Sequence, residues 1–223
     1  MTIKEAIEQR HTVRKYTDKE LSADIVEKLN QRIEKRNKEY GIQMQLVTGK
    51  TDGFNAIVKL ILAKGVKNYL ILAGPDKSET DENLGYCGID IALFAQTLGL
   101  NSWWVGGTFN RGKMTEKVNQ LGKEKVIGIT TLGYGKENGK PHKSKNTSEV
   151  SHYDGGEEPV WFKDGVKTAL LAPTALNKQK FWIESNGDTV SITCDNGIFT
   201  GADLGIVKYH FEVGAGTDNF KWK

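Results

Sequence analysis

Four stretches carry residue types and spacings suited to chemistry. Arg10, His11, Thr12 and Arg14 fall in one short run, offering two guanidinium forks, a ring nitrogen and a hydroxyl. An arginine fork suits a phosphate or a carbonyl edge, although the same residues also suit a solvated loop at a helix exit. Leu98-Gly-Leu-Asn-Ser-Trp-Trp-Val-Gly-Gly107 ends on two glycines, which let a ligand approach the backbone or simply let the chain turn. Lys143-Ser-Lys145 is a pair of cations that can meet an anion or face water. Leu171-Ala-Pro-Thr-Ala-Leu-Asn-Lys-Gln-Lys-Phe181 reads as a helix-to-strand corner. There Pro173, Thr174, Ala175, Leu176 and Asn177 could serve turn chemistry alone.

Together these stretches resemble the FMN-dependent nitroreductases. The corner is similar to that family's Ala-Pro-Ser-x-x-Asn-x-Gln-Pro-Trp segment, with Thr174 at the first Ser and Lys180-Phe181 at Pro-Trp. Arg10-His-Thr-Val-Arg14 resembles the opening Arg-x-Ser-x-Arg loop, with Thr12 at the Ser. The glycine-ended stretch resembles Ala-Leu-Gly-Leu-Gly-x-x-x-x-x-Gly, and Lys143-Ser-Lys145 the closing Lys-x-Arg. The resemblance implies FMN as cofactor and NADH or NADPH as electron donor. It implies that Arg10, beside His11 and Thr12, holds the phosphate, and that Lys143 and Lys145 close that site. Arg14 would lie near N1 and O2 of the ring, a cation placed to tune flavin electronics. Trp104, Val105, Gly106 and Gly107 would face the N5 edge, and Pro173 to Asn177 the opposite side. Many relatives carry Glu where this chain has Gly106, so that carboxylate has no counterpart here.

Ordinary members of the family are homodimers in which one subunit supplies the loop, the strand end and the cations, and the other the corner. Their corner follows closely behind the N-terminal loop; here it lies far downstream. The resemblance therefore implies two fused halves, residues 1–150 and a shortened 151–223, with FMN between them in a monomeric pseudo-dimer or a homodimer. The implied activity is ping-pong hydride transfer from NAD(P)H through flavin N5 to a flat, electron-poor acceptor such as a nitroaromatic or a quinone. No catalytic side chain beyond the flavin is required, apart from the electrostatic role of Arg14. The alternatives are a module that binds and stores FMN, or an enzyme acting on flavin or on a halogenated aromatic.

Several elements must position these residues. Ile3, Ala6 and Ile7 mark a short helix leading into the arginine loop. Ser22 is an N-cap for a helix with Ile25, Val26, Leu29 and Ile33 inward, released at Gly41 into a strand over 43–47. Phe54 to Leu62 follow helical spacing, and Tyr69–Ala73 reads as a central strand. Asn83–Leu98 is apolar on most sides, as a buried helix would be. Trp103–Val105 and Lys125–Leu132 read as strands, with a weaker helix over 113–121. Gly133–Gly156 lacks periodicity and reads as a linker. After Pro159 come the helix before the corner, a hairpin around Asn186-Gly187, and a last helix over 202–213. Gly88–Phe94 and Asp203–Tyr209 faintly echo one another. The pattern predicts an α+β class, a nitroreductase-like mixed sheet with packed helices.

Composition narrows the field. Of 223 residues, 38% are hydrophobic and 26% charged, and the net charge is +3, so the chain reads as a folded, soluble protein. The interspersed Lys and Glu argue against a nucleic-acid face, and no apolar run is long enough for a membrane span. Cys87 and Cys194 lack metal or redox spacing; with no apparent signal peptide, the cytoplasm is the expected compartment. The spacing of His142, His152 and His210 suggests no metal site. Trp103, Trp104, Phe109 and Trp182 are candidate stacking walls that core packing would equally explain.

Overall fold

In a computed structural model, residues 1–118 and 124–223 are described. Among them are seven α-helices and eight strands in two four-stranded sheets. Helix α1 (Ile3–Gln9) starts from a capping box in which Thr2 accepts from Glu5 and Glu5 reaches back to Thr2. Helix α2 (Ala23–Tyr40) has Ser22 as its N-cap and ends at Gly41 in the left-handed region, as the sequence predicts. Ile25 and Val26 are only partly buried, so Leu29 and Ile33 carry its inward face.

The first sheet has the order β1 (Gln45–Val47), β2 (Tyr69–Pro75), β4 (Glu124–Gly133) and β3 (Asn101–Val105), all antiparallel. Strand β2 is buried on both faces. Leu70 and Leu72 point into a core shared with α2 and the central helix α4 (Thr80–Thr97), while Tyr69, Ile71 and Ala73 join Phe54, Trp103 and Ile129 on the other side. The short helix α3 (Ala56–Ile61) forms where predicted but leaves Ile57, Leu60 and Ile61 exposed. The weaker helix is α5 (Arg111–Val118); its expected continuation to Leu121 lies outside the described residues.

The second sheet is mixed, in the order β5 (Ser151–Asp154), β6 (Phe181–Asn186), β7 (Thr189–Cys194) and β8 (Lys221–Trp222). β5–β6 and β7–β8 are parallel, and β6–β7 is the hairpin, with Gly187 at φ 58°. The expected linker is thus partly structured: a 3-10 turn at Thr147–Glu149 and β5 lie within it, and β5 gains order from its partner β6 rather than from its own polar sequence. Helices α6 (Val160–Ala169) and α7 (Thr200–Ala215) cover this sheet.

Helices α4 and α7 cross at the centre. A Cβ on Gly85 would drive into the carbonyl of Ala202, and one on Gly205 into the carbonyl of Glu82. Each glycine therefore faces the residue three positions before the other, a reciprocal crossing that only residues without a Cβ allow. The crossing sets Gly85 against Gly205, five positions away from the alignment of Gly88 with Asp203. Lys208 Nζ bonds Glu82 Oε1 across the crossing at 2.6 Å. No helix among the described residues is long and apolar enough to cross a membrane.

Candidate functional site

The arginine loop begins where α1 ends. Arg10 turns into extended backbone (φ −73°, ψ 119°), and the chain then runs beside β3: Thr12 bridges Ser102, and Val13 N donates to Ser102 O at 3.1 Å. This places Arg10 inside the protein with only 6% exposure. Its Nε is buried with no hydrogen-bond partner. Burial lowers the guanidinium to about 10, with Tyr16 opposing the shift, so it stays charged at neutral pH. Burial, and then the charges of Arg10 and His142, push His11 below its ordinary range. A buried cation without an acid or an acceptor is costly, and that cost is offset when an anion arrives.

The segment after β4 closes over this loop. A Cβ on Gly139 would stand 2.8 Å from the Thr12 carbonyl oxygen and 2.9 Å from His11 Cβ. Beyond it, His142 Nε2 and Ser144 Oγ reach the Leu170 carbonyl oxygen at 2.9 and 3.3 Å. The backbone N–H of Lys145 donates to Gln179 Oε1, and its ammonium to the Gln179 carbonyl, both at 2.8 Å. Asn177 Nδ2 donates to the Lys143 carbonyl at 2.9 Å. The cation segment and the corner, far apart in sequence, are thus stitched together.

The corner is a 3-10 turn at Ala175–Asn177. Leu176 and Asn177 have φ 53° and Gln179 has φ 48°, three left-handed non-glycine residues within four positions. Such strain persists only where surroundings impose it, and it clusters at functional sites. The restraints are visible. Ala175 N donates to both carboxylate oxygens of Asp203, at 2.9 and 3.1 Å, while Gln179 N donates to Thr174 Oγ1 at 3.1 Å. Burial raises Asp203 to about 6, and the Ala175 N–H offsets part of that. Leu176 projects outward, 87% exposed, and Asn177 Oδ1 is buried without a partner.

One residue farther along β3 than Ser102, Arg14 lies over Trp103, 5.1 Å from the ring centroid, and Trp103 stacks on Phe54. Val105 is in the core. Gly106 is buried beneath the Phe199 ring, which also meets Trp104 edge-on at 5.2 Å, whereas Gly107 is exposed. The close approach to Gly106 is therefore made by a side chain of this chain. Trp103 and Phe109 are core residues; Trp182 is 37% exposed.

The structure thus gathers Arg10, His11, Thr12, Lys143, Lys145 and the corner, and places Trp104 to Gly107 farther along the same strand. Ser102 to Gly106 spans about 13 Å at ~3.3 Å per residue. Thr200 to His210 on α7 spans about 15 Å at ~1.5 Å per residue. A cleft of about 320 Å³ lies elsewhere, between Tyr16–Leu21 and Lys67–Asn68, and none of the candidate residues lines it. Among the described residues no three His, Cys, Asp or Glu side chains group as metal ligands. Both cysteines are free, with thiols raised to about 12 by burial.

Sequence reasoning missed Gln179, Asp203, His210 and Phe199. Gln179 stood inside the corner motif and could have been found there. The others depend on tertiary approach, and the spacing of His210 bears only on a metal site.

A family model described as "Putative TM nitroreductase" matches residues 2–215. A "putative nitroreductase" of Thermotoga maritima has a TM-score of 0.67 at 21% identity, covering 96% of this chain and 83% of that one. A "putative NADH dehydrogenase/NAD(P)H nitroreductase" of Bacteroides thetaiotaomicron has a TM-score of 0.53 at 14% identity, covering 66% and 95%. A "nitroreductase-like family protein" of Bacillus cereus has a TM-score of 0.51 at 18% identity, covering 67% and 94%. At these identities the structural likeness speaks for the fold. No curated protein matches the chain. The family match, in contrast, spans the first sheet, strands β5 to β7 and the helix crossing, and the chain belongs to that nitroreductase family.

Proposed function

We propose that the protein is an FMN-dependent oxidoreductase of nitroreductase type, using NADH or NADPH and a flat, electron-poor small-molecule acceptor. The observation that carries this reading is the Arg10 guanidinium, buried, charged and without a partner at Nε. A phosphate would satisfy it. His11 and Thr12 follow it in the loop, Gly139 of the segment leading to Lys143 and Lys145 lies against that loop, and Asn177 Oδ1 is a second unsatisfied atom, in the corner. FMN, when bound, supplies the electron-accepting and electron-donating ring. Arg14 contributes positive charge beside it, and the corner holds the opposite side in a fixed shape. Gly107 is open to a ligand edge, whereas at Gly106 the Phe199 ring must turn aside.

In this reading residues 1–150 and 151–223 act as two halves. The reciprocal contacts of Gly85 and Gly205 support it, as do the cation and corner segments bonded within one chain. The expected state is a monomeric pseudo-dimer or a homodimer of it, with one FMN per chain. A storage module is the second reading, and the Phe199 ring lying over Gly106 favours it.

The test combines flavin stoichiometry, light scattering and anaerobic titration with each nicotinamide at the flavin absorbance band. A yellow protein with one FMN per chain, bleached by NADH or NADPH and reoxidised by a nitroaromatic, supports the enzyme. A yellow protein that neither nicotinamide bleaches favours storage. Two FMN per chain ends the two-half reading, and a colourless chain indifferent to added FMN ends both flavin readings.

A further inference from the structure

We propose that His210 forms, with Arg10, the floor of a phosphate-binding pocket, and that its Nε2 takes up one proton when the phosphate group binds. The phosphate would be that of FMN on the reading above, but the argument needs only a phosphate monoester or the free ion.

His210 is fully buried on α7. Its Nδ1 lies 2.8 Å from the Ile206 carbonyl oxygen. A carbonyl only accepts, so Nδ1 carries the hydrogen, and in the neutral ring Nε2 is a bare lone pair. That Nε2 is enclosed with no partner, as is Arg10 Nε. Burial lowers His210 to about 3; the charges of Arg10 and His142 add to this, and the bond to Ile206 opposes it. The ring is therefore neutral at ordinary pH without a ligand. The groups acting on it are Arg10 from the end of α1, His142 from the segment after β4, and the neighbouring Tyr209 ring at 6.5 Å. Tyr209 itself is tied through its hydroxyl to Asp90 on α4.

Two unsatisfied buried atoms of this kind call for one ligand that can answer both. Arg10 needs an acceptor. A phosphate dianion provides it, but its oxygens would be repelled by the His210 lone pair unless a proton lies between them. Binding therefore moves one proton from solvent onto Nε2, forming N–H···O–P, and no other bond is made or broken. The incoming negative charge reverses the field that Arg10 and His142 impose, and so stabilises the imidazolium.

The test is isothermal titration calorimetry at pH 8 in Tris and in HEPES, whose ionisation heats differ, with inorganic phosphate, FMN and riboflavin as ligands. Phosphate and FMN are expected to bind with net proton uptake, and riboflavin with none. His210→Asn, which cannot titrate, is expected to lose the uptake and to weaken phosphate binding roughly tenfold. Absence of uptake in the native chain, or full uptake retained in His210→Asn, overturns the proposal. Should that variant fail to fold, ¹⁵N spectra of the native protein report Nε2 directly, and a ring that stays a neutral Nδ1–H tautomer in saturating phosphate is equally fatal. Phosphate bound with uptake but FMN rejected would keep this pocket and remove the flavin reading. FMN and riboflavin bound alike, without uptake, would do the reverse; failure of both phosphate and FMN to bind would remove both.

Discussion

Asp90 on α4 and His210 on α7 occupy matching places, each five residues beyond the glycine of the crossing and each fully buried. Asp90 is saturated. It accepts from Arg32 at 2.6 and 2.9 Å, from Arg36 at 2.8 Å and from the Tyr209 hydroxyl. Burial alone would raise its carboxyl, but these bonds more than reverse that and hold it below the usual range. His210 and its neighbour Arg10 are the opposite case, with an unpaired nitrogen each. A buried charge with a full set of partners ties elements together, here α2, α4 and α7. A buried donor or lone pair without one marks the place of a partner from outside the fold.

Substitution can break this comparison. Asp90→Ala should cost most, about 3–5 kcal/mol in denaturant unfolding, because it removes a fully buried carboxylate and leaves two partly buried arginines facing one another; a loss below about 1 kcal/mol would show that the network ties nothing. Arg10→Met should act in the other direction on stability. Removing an unpaired buried charge leaves the fold unchanged or gains about 1 kcal/mol or more, while phosphate affinity falls about thirtyfold, the worth of ~2 kcal/mol of charge-assisted bonding. If Arg10→Met instead destabilises the fold while leaving phosphate affinity of the folded protein unmoved, the unpaired pocket is ordinary core.

Acid titration sharpens the contrast. His210 has a folded value lowered to about 3, so its contribution is present above the unfolded value near 6.5 and is lost as pH falls toward 3. One proton over 1.5 pH units corresponds to roughly 2 kcal/mol between pH 6.5 and 5, and His210→Gln should remove that slope. Asp203 is raised to about 6, so its contribution is present below about pH 4 and is lost as pH rises through 6. The two oppose one another. Asp203→Asn, which keeps an acceptor for Ala175 N–H, should therefore steepen acid destabilisation between pH 6 and 4, a smaller effect read from thermal unfolding across that range. An unchanged slope in both variants would show that neither group titrates as its burial implies.

Much of the architecture was legible because local signals and tertiary needs agreed. Ser22 and Gly41 bound α2, Asn186-Gly187 turns the hairpin, and the pattern of 83–98, apolar on most sides, announces a largely buried helix. Strand β5 was not legible, since four residues that include His152 and Asp154 become a strand only against β6. Nor was the exposed face of α3, whose apolar spacing reads as a core stripe. At the site, Arg10, Thr12 and the corner stood out by residue type and order. His210, Asp203 and Phe199 did not, because a lone histidine, aspartate or phenylalanine in an apolar helix has no pattern of its own; the fold alone brings His210 near Arg10 and Asp203 to Ala175.

The crossing of α4 and α7 has one more consequence. In an assembly of identical copies, every codon change at a two-fold contact appears on both sides at once, so a favourable change on one side must be tolerable on the other. Gly85 and Gly205 meet their counterparts from separately encoded helices. On the two-half reading proposed above, Asp90 could therefore acquire its arginine escort without forcing one upon position 210, leaving that position free to specialise.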